Sequence, residues 1–217
     1  MTIHVTRQMK CQYKTNKRMV LIIMTSQYKV KTMTIAALLS ALGILIPLIA
    51  PKYVLPPASY TLASHVPIFI AMFISVPVSI FVTIVTAIGF FFGGYPFVVT
   101  LRAVSHIIFV VLGSYILSRK PNILSNKFNA SLFALLISVV HGISEVLVVT
   151  QFYLVGNADQ LYYEKGYLIS VILLVGLGTV IHSLIDFAIA VFVWKPIQNI
   201  LPIPVNVKLK NTRDKDV

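Results

Sequence analysis

The sequence predicts an all-α membrane protein, a bundle of six transmembrane helices with both termini on the cytoplasmic side. Three observations carry that prediction. Hydrophobic residues make up 58% of the 217 positions and charged residues only 11%, with a mean hydropathy of +0.89, where a soluble domain carries about 25% charged residues. Apolar runs long enough to cross a bilayer, which takes about 20 residues at 1.5 Å rise each, recur along the chain, and its length holds about six of them joined by short loops. Third, the basic residues are segregated. Fifteen of the eighteen Lys and Arg fall before Met33, between Ser118 and Lys127, or from Lys195 onward. Six spans put these three segments on one side, and the positive-inside rule makes that side cytoplasmic. The net charge of +12 is then a record of topology in a lipid bilayer, and no nucleic-acid partner is expected. No room is left for a soluble catalytic domain, and no GxxxxGK[ST] loop is present, so ATP hydrolysis would have to come from another chain. The single cysteine, Cys11, excludes an internal disulfide.

Residues 1–30 read as a basic, poorly ordered cytoplasmic tail, since the apolar island Met19–Met24 is too short to span. Residues 31–196 form the membrane domain, and 197–217 a charged, disordered tail. Span one runs from Met33 to about Ala50, and its small residues Ala37 and Ala41, flanked by Ser40, form an AxxxA row. Lipid tails are as apolar as leucine, so such rows let helices approach closely. The row serves either packing inside the bundle or docking of a partner outside it. PKYVLPPASYTLAS, from Pro51 to Ser64, is stiffened by three prolines and is expected to be an ordered extracellular flap. Spans two and three, about 62–75 and 77–93, are split at Pro77. Phe92, Gly93, Gly94, Tyr95 and Phe97 make an outer turn. Span four descends from Pro96 to Leu117, span five rises from Phe128 to Thr150, an outer loop follows whose Asn157 is a candidate substrate-binding residue, and span six descends from Tyr167 to about Trp194, longer than a crossing requires and therefore tilted or protruding.

Ionisable residues inside apolar spans are costly and mark function by default. Three spans each carry two of them four residues apart, hence on one helical face: Arg102 with His106, His141 with Glu145, His182 with Asp186. Counted from the outer ends, Arg102 and Glu145 both lie roughly 8 Å deep, and His106 and His141 about one turn deeper. A polar pocket in the outer half is expected. Arg102 would offer a planar fork to a carboxylate, while His106, His141, His65 or Ser64 would bond a ring nitrogen, and Tyr60, Tyr95 or Phe97 would stack on a flat ring. Arg102 and Glu145 could equally neutralise each other, and one guanidinium can do both. Asp186, about nineteen residues down span six, is placed in the inner half, with His182 or Ser183 satisfying it, in a structural or coupling role. Zinc on His106, His141, Glu145 and His182 is set aside, because HExxH and Cys pairs are lacking and His182 is expected to sit deeper. Neither metal nor cofactor is expected.

PASYTLASHVPIFIAMFIS (Pro57–Ser75), GFFFGGYPFVVTLRAVSH (Gly89–His106) and HGISEVLVVT (His141–Thr150), with the AxxxA of span one, resemble the substrate-binding S components of energy-coupling factor (ECF) vitamin transporters, the niacin type in particular. The resemblance covers Lys31 to about Pro196. It implies a non-enzymatic, high-affinity vitamin-binding subunit of the cytoplasmic membrane. It also implies docking, through Ala37 and Ala41, on a transmembrane coupling protein that carries two ABC-type ATPases. Nicotinate fits the expected groups, and pantothenate or another acidic vitamin would also use the arginine. A solitary secondary carrier would normally show inverted repeats, and none is evident. An intramembrane enzyme would use Glu145 and the histidines as acid and base.

Overall fold

The computed structural model describes residues 2–201 and 203–209, with side chains from residue 26 onward. Helix α1 runs Thr2–Ile49, with Pro47 in its last turn. Most of the expected N-terminal tail lies outside the residues whose side chains are described, but residues 26–30 continue the helix, so the segment long and apolar enough to cross a membrane is Ser26–Ile49. Ala37 and Ala41 are exposed on the outside of the bundle, whereas Ser40 is buried and donates to the Ala36 carbonyl at 2.8 Å. Ser40 therefore does not belong to an outward docking face. A hydroxyl bonded back to its own helix is the reason it is tolerated inside.

The flap is a two-stranded antiparallel hairpin, β1 (Lys52–Leu55) paired with β2 (Ala58–Thr61), with Tyr53 opposite Tyr60. Alternation decides its orientation: Ala58 and Tyr60 are buried, while Tyr53, Val54 and Leu55 are exposed. Helix α2 follows at Val66–Ile74, all nine residues buried. At 1.5 Å per residue it covers about 14 Å, less than half of a hydrocarbon core, and is shorter than the already short second span of about 62–75 that the sequence suggested. Residues 62–65, expected inside that span, form a turn instead. The chain reverses at Ser75, whose hydroxyl accepts from Val78 N, and Pro77 sits in the first turn of α3 (Val76–Phe92), as the split at Pro77 required.

Helices α4 (Phe97–Arg119) and α5 (Lys127–Val155) are continuous and long enough to cross. Asn126 caps α5 by accepting from Phe128 N and Asn129 N, and Gly156, left-handed at φ 82°, ends it. A short helix α6 (Gln160–Glu164) leads into the last crossing. That crossing is a π-helical segment, Leu168–Leu177, continuous with α7 (Gly178–Ile197). Wider π turns advance less per residue, so the extra length of this span is taken up by winding. Gly142 and Gly176 bring α5 against that segment: a Cβ on Gly142 would stand 2.9 Å from the Gly176 carbonyl oxygen.

Among the described residues four helical segments have the length and hydropathy to cross a membrane, and α3 is a shorter apolar helix of 17 residues. The architecture is that of an all-α membrane protein. Its aromatic core stacks Phe69, Phe73, Phe109, Phe133, Phe187 and Trp194 along the bundle axis. At the Trp194 end the C-terminal segment is not a free tail. Asn206 N and Val207 N donate to the Phe73 and Ile74 carbonyls at 2.9 to 3.2 Å. Trp194 Nε1 donates to the Val207 carbonyl, and Gln198 exchanges two bonds with Leu209. Ile203 and Val207 are buried. These bonds satisfy the C-terminal carbonyls of α2, which water cannot reach because that helix is buried on every side.

Candidate functional site

A cavity of about 290 Å³ opens between the hairpin, the α3–α4 turn and the ends of α4, α5 and α7. Five elements deliver its polar wall: Tyr60 and Thr61 from β2, Ser64 and His65 from the turn before α2, Arg102 and His106 from α4, Glu145 from α5, and Thr179 and His182 from α7.

The depth count along α4 and α5 holds. Arg102 Nη2 donates to Glu145 Oε2 at 2.6 Å, in a pair whose side chains are 15% and 4% exposed. Thr179 donates to the same oxygen at 2.6 Å, and His106 Nε2 lies 3.2 Å from the other, Oε1. Among the described residues Nη2 is the one guanidinium nitrogen with a protein partner, and the buried Nε has none. The arginine is thus anchored on one side and uncommitted on another.

Around it His65, His106 and His141 pack ring edge to ring face, with centroids 4.6 to 4.9 Å apart. His141 lies fully buried behind the cavity wall, its Nδ1 3.2 Å from Ser183 Oγ. Asp186 stands elsewhere than expected. It is fully buried, yet accepts from Ala63 N and His65 N at 2.8 and 2.9 Å and lies 3.1 Å from His65 Nδ1 and 3.2 Å from His182 Nε2. It closes the turn before α2 from below and holds His65 in place. His182 lines the cavity and contacts Ser64 Oγ at 3.1 Å, so both belong to the site region and not to a separate inner one. The expectation failed because it assumed 1.5 Å per residue through a segment that is π-helical, and a second span starting at the surface when α2 starts deep.

Phe97 and Asn157 do not reach the cavity. Phe97 is exposed, its ring packed edge-on to Phe152, and Asn157 is exposed in the α5–α6 loop. Tyr95 lines the cavity and stacks on Phe90 at 4.7 Å. Tyr60 turns its ring inward and donates its hydroxyl to the Leu174 carbonyl in the π-helical segment. Burial pushes that phenol up to about 12, with Arg102 opposing the shift and Glu145 adding to it.

Thr179, Thr61, Thr86 and Lys52 are lining residues that the sequence reading passed over. Thr179 had a signal: it lies three residues before His182 and seven before Asp186, on one helical stripe. Lys52 and Thr86 had none.

The fold and site define an all-α membrane protein with a polar-walled cavity beneath a hairpin. A niacin transporter, NiaX, of Lactococcus lactis subsp. cremoris (strain MG1363) is 38% identical over 192 residues, which cover 88% of this chain and 85% of that protein. No family model and no solved structure matches. The chain belongs to the family of that transporter, the niacin-type S components of ECF vitamin transporters, and is a transport protein and not an enzyme.

Proposed function

We propose that this chain is the high-affinity niacin-binding subunit of an ECF-type ABC importer in the cytoplasmic membrane, capturing nicotinate in the cavity under the hairpin. The observation that carries the reading is the guanidinium of Arg102, fixed at the cavity wall by Glu145 with further N–H groups uncommitted. Nicotinate's carboxylate would take those donors, its ring would lie against Tyr60 or Tyr95, and its ring nitrogen would be bonded by Ser64, His65 or His106. The identity to a niacin transporter supports the choice of vitamin. Pantothenate, also a carboxylate, is the second reading.

The cavity faces outward in this account. Helix α4 begins at the cavity and ends at Arg119, near Lys120 and Lys127, and α7 carries Lys195 in its last turn, so the basic residues gather at the opposite, cytoplasmic end. A short α2 does not upset this topology, since α2 and α3 enter and return together and leave both termini on one side. Docking on the coupling protein and its two ATPases is assigned to the exposed small-residue face of α1, Ala37 and Ala41, where a partner backbone can come close.

The test is calorimetry on the detergent-purified chain, with mass spectrometry of whatever co-purifies. Tight nicotinate binding that Arg102→Ala removes is the expected result. Equal affinity in that variant would take Arg102 out of the site, and preferred binding of pantothenate would replace the vitamin.

A further inference from the structure

The inner wall of the cavity gathers more nitrogen donors than one vitamin can use. One ligand atom each from His65, His106, His141 and Glu145 lie within 4.8 Å of one another. His106 Nε2 and His141 Nε2 stand 3.2 and 3.4 Å from the same oxygen, Glu145 Oε1. A tetrahedral zinc ion with bonds of about 2.0–2.1 Å separates its donors by about 3.3 Å, so both spacings have the edge length of such a tetrahedron.

Three further observations point the same way. His141 Nε2, in a ring with no solvent exposure, faces that oxygen without hydrogen-bond geometry and is bonded to nothing, although buried polar atoms are rarely left unpaired. Two of the rings are held from behind: His65 Nδ1 by Asp186 at 3.1 Å, and His141 Nδ1 by Ser183 at 3.2 Å. A carboxylate or hydroxyl behind a histidine is how metal-ligating imidazoles are oriented, leaving the opposite nitrogen for the ion. Charge is the third. Arg102 balances Glu145, but the fully buried Asp186 is paired only with histidines among the described residues, so the cluster carries a surplus carboxylate that a divalent cation would offset.

We propose that His65, His106, His141 and Glu145 form a binding site for one divalent first-row transition metal, with zinc as the reference ion. Three imidazoles and one carboxylate suit such an ion and disfavour magnesium and calcium, which take oxygen ligands. Arg102 and Thr179 engage Glu145 Oε2, which leaves Oε1 to the metal. His65, His106 and Glu145 line the cavity and His141 does not, so the ion would sit in the wall between cavity and core. The neighbouring group of His65, His182 and Asp186 shares His65, but there the carboxylate already bonds the turn backbone and both rings.

The test uses the full chain in detergent, freed of affinity tag, vitamin and metal, so that it stands whatever the vitamin proves to be. Zinc is titrated against a chromophoric chelator, and cobalt(II) is added as a spectroscopic substitute. One ion per chain at micromolar affinity or tighter, with the intense visible bands of four-coordinate cobalt, is expected. His141→Ala and His106→Ala should each weaken binding by about 100-fold or more, Asp186→Asn by about 10- to 100-fold, and Asn157→Ala not at all. If His141→Ala does not fold, His65→Ala takes its place. Substoichiometric binding, affinity unchanged by the histidine variants, or loss of binding in His182→Ala with none in His141→Ala overturns the assignment.

Discussion

Replacing Glu145 and Arg102 singly and together separates what their pair does for the fold from what the arginine does for the ligand. The two meet at 2.6 Å with side chains 15% and 4% exposed. Removing one partner strands the other's charge away from water, which costs about 3–5 kcal/mol, whereas removing both charges is often nearly neutral. Glu145→Gln and Arg102→Ala should each lower the melting temperature in detergent, and Arg102→Ala/Glu145→Gln should recover most of the loss. Binding should follow another pattern. A carboxylate taken by two guanidinium N–H groups gains about 1.5–3 kcal/mol from each. Arg102→Ala should therefore weaken nicotinate binding by about 3–6 kcal/mol, roughly 100-fold to more than 10,000-fold at 1.4 kcal/mol per decade, and the double variant should stay as weak. Calorimetry with nicotinate and the uncharged nicotinamide checks it, since the amide should lose far less. A double variant that is stable and binds nicotinate like the parent would refute the assignment of the arginine to the carboxylate.

Ala37→Trp or Ala41→Trp, on the exposed face of α1, should stop vitamin uptake by cells while leaving binding to the purified chain unchanged; equal loss of both would place that face inside the bundle. Tyr60→Phe removes the hydroxyl bond to the Leu174 carbonyl and should speed vitamin release, read by stopped-flow fluorescence, through a net loss of about 1 kcal/mol. The same phenol gives a pH signature. Its folded value is raised to about 12 above an unfolded value near 10, so the folded chain disfavours the phenolate. Stability is unaffected below pH 10 and should fall between pH 10 and 12, more steeply in the parent than in Tyr60→Phe. Val207→Asp puts a charge on a fully buried side chain in the segment that bonds the end of α2 and should destabilise the bundle by more than about 2 kcal/mol, read from the shift in melting temperature.

What the sequence made legible was whatever depends on regular helical rise. Arg102 and Glu145 were matched in depth by counting residues along α4 and α5, and these helices are continuous, so the side chains do meet. His106 and His141 follow for the same reason. The count fails where the rise is irregular. Ten π-helical residues precede α7 and α2 begins several residues late, and together these put Asp186 against the backbone of His65. No pattern of hydropathy marks a π segment of uniformly apolar residues. The prolines of the flap announced an extended and ordered segment, but not the pairing of Tyr53 with Tyr60, which depends on register. The anchored C-terminal segment was hidden by composition: Val205, Val207 and Leu209 alternate with polar residues in a stretch whose charges suggested a free tail. Phe97 was misassigned because an aromatic at a span's end suits an outer boundary as well as a cavity.

The hairpin and the last crossing act as one device. Tyr60 bonds the Leu174 carbonyl, and Gly178 keeps the helix surface bare where the phenol ring lies, since a Cβ there would collide with it. One residue beyond Gly178, Thr179 holds the oxygen of Glu145 that Arg102 also holds, and further along the same helix Asp186 holds the turn that carries Ser64 and His65. Lifting the hairpin far enough to admit a ligand must break the Tyr60 bond, and the strand it lifts runs directly into the turn that Asp186 pins. Arg102, His106 and Thr179 sit on α4 and α7, and Ser64 and His65 on the turn that Asp186 pins. Apart from Tyr60 and Thr61 the polar wall therefore does not depend on the hairpin for its position, and binding under the proposed function would not have to order it.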